Sequence, residues 1–274
     1  MGLAGVAASV LLGVLLEHPY GASGAVLRGV GLPLMLFGYM LVAFGPRLIP
    51  RREATPVVAP VTGRWLGMNS PATKVPSHGV RMYGQAHAID LVAEPANPAV
   101  GVRPAFGDGP AMRANADYPA FGKPVRAMVS GTVVRASGWR RDHRARSTTT
   151  AVIYMMFEGA VREVGGAGFI IGNHVAIRGA HGTYALVAHL QRGSLMVSVG
   201  DTVHAGEVIA RCGNSGNSSE PHVHAQLMDR ASPLLAIGVP MAFSGIALDD
   251  DPRPTDGLPA NDQHMTVPDR AALH

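Results

Sequence analysis

From Gly63 onward the chain is a succession of short apolar runs punctuated by glycine and proline, and this spacing limits what it can fold into. The runs include Ala88–Val92, Pro124–Met128, Gly131–Arg135, Ala151–Phe157, Phe169–Arg178, Thr183–Leu190, Glu207–Arg211 and His222–Met228. Stretches this short, with turn residues between them, predict an all-β or β-rich domain built as a twisted antiparallel sheet or sandwich with a cleft. Two polar or Pro/Gly-rich insertions, Glu94 to Tyr118 and Ser137 to Thr150, are expected as surface loops or cleft walls.

Around this domain the composition shifts. Met1 to Leu16 carries no charge, and Gly29 to Gly45 is again uncharged and rich in Leu, Val, Met and Phe. Sixteen helical residues rise roughly 24 Å against a hydrocarbon core of about 30 Å, so each stretch is short for a span. The N-terminus also lacks the basic region of a cleaved signal peptide. A membrane hairpin, or one span with a re-entrant piece, is expected over 1–52; a buried helical pair is the alternative. Arg47, Arg51 and Arg52 follow the second stretch, and the positive-inside rule would put that end in the cytoplasm. A 53–62 linker, the β-rich domain over 63–246 and a loosely packed polar tail over 247–274 complete the division.

Charged residues make up 15% of the chain with a net charge of +4, and no Arg/Lys run is interleaved with aromatics, which argues against nucleic acid as a partner. Arg140, Arg141, Arg144 and Arg146 form the densest basic patch and read as a solvated loop. The single cysteine, Cys212, excludes an intramolecular disulfide and a cysteine-based metal cluster.

The residues that carry chemistry are histidines and one aspartate. His222 and His224 are two apart in a strand-like run, so their side chains share a face. Asp90 lies in the apolar run Gln85-Ala-His-Ala-Ile-Asp90-Leu-Val92, where a buried carboxylate needs a cation, a metal or several donors. His189 ends another apolar run, Tyr184-Ala-Leu-Val-Ala-His189. Only neighbouring strands would let these groups meet.

In order along the chain, Asp90, then Phe121-Gly-Lys-Pro-Val-Arg-Ala-Met-Val-Ser-Gly-Thr-Val-Val134, Gly172-Asn-His-Val-Ala-Ile177 and Ala188-His-Leu190 resemble the M23 (LytM/lysostaphin-type) metallopeptidases. Val199-Gly-Asp-Thr-Val-His-Ala-Gly206 and Gly213-Asn-Ser-Gly through His224 extend the resemblance, which runs from about Trp65 to Met228. It implies an antiparallel sheet with a groove, one Zn2+ ion, and hydrolysis of peptide bonds in bacterial peptidoglycan. Asp90 and His224 would be zinc ligands, and His189 and His222 the catalytic pair beside the open coordination position. The family's first ligand is a histidine four residues before the aspartate, and here that residue is Ala86. His87, three before Asp90, would point to the opposite strand face. His78, in Pro76-Ser-His-Gly79, resembles the first ligand of the branch that draws it from a longer loop, and is preferred over His87.

The implied chemistry suits these residue types. Two imidazoles and a carboxylate leave zinc a position for water, whose pKa falls towards ~7. His189 or His222 takes the water's proton or stabilises the oxyanion, with either assignment open. The resemblance thus implies a membrane-anchored, extracytoplasmic wall endopeptidase. The alternative is a catalytically silent M23-like domain acting as an envelope scaffold or amidase activator.

Overall fold

The computed structural model describes residues 52–268, together with 31, 33, 34 and 36–40 of the N-terminal stretch. Residues 1–52 and 53–274 are separate units. Met1 to Leu16 and most of Gly29 to Gly45, where membrane segments are expected, lie outside the described residues. Among the described residues no helix is long and apolar enough to cross a membrane.

In the second unit the strands in chain order are β1 (Thr55–Val57), β2 (Gly63–Met68), β3 (Ile89–Ala93), β4 (Pro124–Arg126) and β5 (Gly131–Ser137). Then come β6 (His174–Arg178), β7 (Tyr184–Ala188), β8 (Thr202–Val203), β9 (Val208–Arg211) and β10 (Val223–Met228). The last four are β11 (Gly238–Val239), β12 (Met241–Leu248), β13 (Asp251–Gly257) and β14 (His264–Val267). The large sheet has the order β1-β12-β14-β2-β3-β10-β7-β6-β5-β8, with β11 beside β10 and β13 beside β12, while β4 and β9 form a separate pair. Its pairs are antiparallel except β1 with β12.

Strand alternation divides the central strands into two faces. Ile89 and Leu91 of β3, Val223, Ala225 and Leu227 of β10, and Ala185 and Val187 of β7 enter the main core with Trp65, Phe243 and Ile246. On the other face of the same strands stand Asp90, His224 and Gln226, with Leu186, Ala188 and Met228 in a smaller apolar cluster. One face supplies the stability; the other carries the polar groups.

Three segments depart from the expected pattern. Residues 149–164 form a helix, α1 (Thr149–Val164), where a strand over Ala151–Phe157 is expected, and a second helix, α2 (Ala167–Ile171), takes the start of the run Phe169–Arg178. The stretch Ala-Val-Ile-Tyr-Met-Met-Phe is β-prone by composition, but Thr148 caps the helix by accepting from the Ala151 N–H, and Gly165 follows its end. The expected linker contains β1, whose Pro56 is tolerated because β1 is an edge strand. The expected polar tail contains β13 and β14, and β14 joins β12 to β2 with Met265 fully buried. Pro252 and Pro254 make β13 read as loop, yet its exposed edge position accommodates them.

Because β14 is the link between β12 and β2, truncating Met265 should weaken the sheet as a core residue does. Met265→Ala is expected to lower the unfolding free energy by about 2–5 kcal/mol in denaturant titration. A change under about 0.5 kcal/mol, typical of surface sites, would mean the C-terminal strands are not integral to the domain.

Candidate metal and catalytic centre

The antiparallel register of β3 and β10 sets His224 directly opposite Asp90, and β7 sets Ala188 opposite His224 from the other side. His189 follows Ala188 with φ +58°, a left-handed turn that leaves the strand line. His222 immediately precedes β10. His78 arrives from the loop between β2 and β3, where the Ser77 N–H donates to the Ala86 carbonyl at 3.1 Å.

These residues converge. His224 Nδ1 is 2.9 Å from Asp90 Oδ1, His78 Nε2 is 3.1 Å from Asp90 Oδ2, and His222 Nε2 is 3.5 Å from Asp90 Oδ1. One ligand-type atom from each of His78, Asp90 and His224 lies within 4.8 Å of the others. The ring of His189 is 4.7 Å from that of His222 and 5.7 Å from that of His224, centre to centre. His78 thus stands beside Asp90, whereas His87, the alternative ligand, is not in the cluster.

The hydrogen-bond relays behind the rings fix their tautomers. Gln226 donates from Nε2 to the Tyr83 carbonyl at 2.9 Å, which turns its Oε1 to His224 Nε2 at 2.8 Å. His224 therefore carries its proton on Nε2. The Ser77 hydroxyl donates to the Gln85 carbonyl at 3.0 Å, so its oxygen accepts from His78 Nδ1 at 3.0 Å. Both neutral rings then turn a lone pair toward an Asp90 oxygen. Two such contacts on one carboxylate require two further protons or one cation shared by all three groups. A dication fits this donor set, and ligand imidazoles that give their other N–H to a protein acceptor are the usual supporting arrangement.

The other two histidines are held differently. His189 donates from Nδ1 to the Ser215 carbonyl at 2.7 Å, leaving Nε2 as an acceptor. His222 Nδ1 faces the Glu220 carbonyl at 2.8 Å and the Ser218 oxygen at 3.0 Å, while its buried Nε2 makes no hydrogen bond among the described residues. Ser215 is fixed by close backbone packing: a Cβ on Gly172 would lie 2.5 Å from the Ser215 carbonyl oxygen, and one on Gly216 would lie 2.5 Å from the Gly172 nitrogen. Both glycines have positive φ, so neither space nor conformation admits a side chain there.

Electrostatics separates the pair. Burial pushes His189 well below the ordinary histidine pKa, reinforced by His222 and His224. Burial would lower His222 as well, but the Asp90 carboxylate and the Glu220 carbonyl outweigh it and raise its pKa. Burial would raise Asp90, yet the surrounding imidazoles of His78, His222 and His224 hold it well below the usual carboxylate range. Asp90 is thus an anion, and His189 a neutral base.

Residues 113–235 match the family model described as Peptidase family M23. Over that segment the chain is similar to the M23 peptidases. The matched segment contains His189, His222 and His224 but begins after His78 and Asp90, so it is the sheet register that brings the M23 histidines to those two groups. A curated relative, the peptidoglycan DD-endopeptidase ShyA of Vibrio cholerae, is 35% identical over 75 residues, which is 27% of this chain and 17% of that protein. The catalytic domain of the antimicrobial peptidase lysostaphin from Staphylococcus simulans is 22% identical, covering 58% of this chain and 80% of that one, with a TM-score of 0.33. The deep-sea M23 metalloprotease pseudoalterin is 14% identical, covering 75% of this chain and 96% of that one, with a TM-score of 0.38.

Four polar partners were not singled out from sequence. Asn69, in a left-handed turn after β2, donates to Asp90 Oδ2 at 2.8 Å. Ser77, Ser218 and Gln226 orient the imidazoles as described. Gln226 was within reach of sequence reading, since it is two beyond His224 and alternation puts it on the same face. Asn69, Ser77 and Ser218 lie in irregular segments and had no such signal. Among the remaining histidines, His174 donates from Nδ1 to the Gly172 carbonyl at 2.9 Å, outside the cluster, and His143 is buried against the Gly216 carbonyl at 2.8 Å.

Metal analysis of protein purified without chelator tests the ligand set. Stoichiometric divalent metal is expected in the wild type and in His87→Ala, but not in His78→Ala. Gln226→Leu should bind metal about 10–100-fold more weakly, because the His224 tautomer is no longer fixed. Full metal retention by His78→Ala would remove His78 from the site.

Proposed function

We propose that the chain is a zinc-dependent endopeptidase that hydrolyses peptide bonds of bacterial peptidoglycan. The observation that carries the reading is the convergence of His78, Asp90 and His224, with tautomers set for a cation, beside the His189–His222 pair. Bound by these three, zinc would supply a Lewis acid that polarises a carbonyl and acidifies water near neutral pH.

The protein groups do the rest. His189, neutral and with Nε2 free to accept, is the base that receives a proton from the attacking water. His222 has its Nδ1 proton committed to Glu220 and a raised affinity for a second proton at Nε2, which suits it to stabilise negative charge on the scissile oxygen or to protonate the leaving amine. We assign the two roles that sequence leaves open in this way. Asn69 holds Asp90 from the side away from His224, so the carboxylate keeps one orientation.

Peptidoglycan as the substrate is supported by the named activity of the Vibrio relative, although the chain spans 17% of that protein's length. We further place the domain outside the cytoplasm, held at the membrane by the hydrophobic stretches of residues 1–52. This orientation runs against the positive-inside rule at Arg47, Arg51 and Arg52, and it requires either both stretches to span from an outer N-terminus or only one to span. The silent-scaffold alternative draws on the alanine at position 86; His78 beside Asp90 supports the catalytic reading over it.

Purified peptidoglycan digested with the full chain should release fragments with new amino termini, read by mass spectrometry, and a chelator should stop the release. His189→Ala and His222→Ala are each expected to lower turnover by about 10²–10⁴-fold with zinc content unchanged. Zinc-loaded wild type that releases nothing from any wall preparation would return the scaffold reading.

A further inference from the structure

Helix α1 presents an unusual surface for a soluble domain. Of its sixteen residues only Ala151 and Gly159 are buried, while Ile153, Tyr154, Met156, Phe157, Val161 and Val164 are exposed. Phe157 is 70% exposed, Val161 74% and Val164 91%, so the exposed apolar residues run roughly 17 Å along the helix. Apolar surface of this extent marks a binding face.

Beside the row lies a groove of about 550 Å³, lined by Trp139, Phe169, Arg140, Arg141, Arg162 and Glu158 among others. The Arg140 guanidinium is stacked 4.4 Å from the Trp139 ring and 4.7 Å from that of Phe169. Three arginines thus line the groove with one carboxylate, and Glu158 is already engaged by Arg146 at 2.5 Å and Arg162 at 3.5 Å. Arg162 Nη1 and Arg140 Nε are buried without a hydrogen-bond partner among the described residues. Burial disfavours the Arg162 charge; Glu158 only partly offsets this, and Arg146 and Arg141 add repulsion.

We propose that this face docks on an anionic phospholipid bilayer, with headgroup phosphate in the arginine groove and acyl chains against the outward row of α1. Charge complementarity selects the occupant. A basic recess flanked by a largely apolar helix face and an exposed tryptophan is the pattern of a helix lying in the membrane interface. A peptide in the groove would reach the arginines and Tyr154, Phe157 and Val161, which also line it, but would leave Ile153, Met156 and Val164 on the outer side of the row uncovered. The site is independent of the catalytic reading, and of residues 1–52.

Trp139 provides a local readout in the full chain. The other tryptophan, Trp65, is 1% exposed and contributes a constant background. Vesicles of phosphatidylglycerol and phosphatidylcholine with brominated acyl chains should quench the wild type, and Trp139→Phe should lose that quenching. Phe157→Glu/Val161→Glu, at exposed positions and checked for unchanged circular dichroism, should lose it too. Pure phosphatidylcholine should quench less, and Arg141→Gln/Arg162→Gln should abolish the preference for phosphatidylglycerol. Three results would overturn the proposal: no quenching of Trp139 by either vesicle, undiminished quenching in the Glu variant, or a Trp139 response to soluble wall peptides alone.

Discussion

The centre depends on one constraint: the strand register that holds His224 opposite Asp90. A slip of one residue between β3 and β10 would turn Asp90 into the core and Ile89 or Leu91 out of it. The apolar side chains on the reverse face therefore enforce the polar geometry on the front. Val223, Ala225 and Leu227 are fully buried, and each marks a strand position whose neighbour belongs to the site. Core packing and site geometry are here a single requirement.

The second layer of control lies in a short irregular segment. Tyr83 and Gln85 sit on either side of Gly84 in the turn Met82–His87, and their carbonyls terminate the relays through Gln226 and Ser77. Tyr83 and Gly84 both have positive φ, so the segment is held in a left-handed bend that local preference alone would not choose for tyrosine. A Cβ on Gly84 would lie 3.1 Å from Gln226 Nε2 and 3.0 Å from Met228 Cγ. The bend thus packs against the strand that carries His224, and it presents two acceptors at the right places. Strain stored in such a turn is repaid by fixing two imidazole tautomers at once.

How much of this was legible in the sequence follows from periodicity. Asp90, His222 and His224 belong to strands or their ends, where alternation predicts facing side chains, and the ordered family motifs named them with His189. His78 was reached only through the motif's departure at Ala86, because a loop residue has no period to read. The helix α1 was misread because its β-branched and aromatic residues favour strands, and the cue for helix, a capping threonine with a terminal Gly165-Gly166, is local and weak. Arg146 was read as part of a solvated loop, whereas it is 5% exposed and paired with Glu158 across the start of that helix. Charge patterns show which residues want partners; only the fold shows where the partners are.

The C-terminal strands show the same limit from the other side. Asp- and Pro-rich composition argues for a loose tail, yet His264 of β14 contacts Glu94 Oε2 at 2.9 Å. Glu94 Oε1 accepts from Arg103 at 3.0 Å, and Arg103 pairs with both oxygens of Glu220 at 2.9 and 2.7 Å. The Glu220 carbonyl in turn receives His222 Nδ1. A line of polar contacts therefore runs from the last strand, through the Glu94–Tyr118 insertion, to the peptide unit that holds His222 beside His189. The bidentate Arg103–Glu220 contact raises the Arg103 pKa further against the effect of burial, so the guanidinium stays charged and the fork stays planar. An exposed ion pair would contribute little, but this one is partly buried and geometrically fixed, and it orients the peptide unit at Glu220. The insertion and the tail are thereby parts of one brace, and the direction of the His222 ring is set as much by β14 and Arg103 as by the strand it precedes.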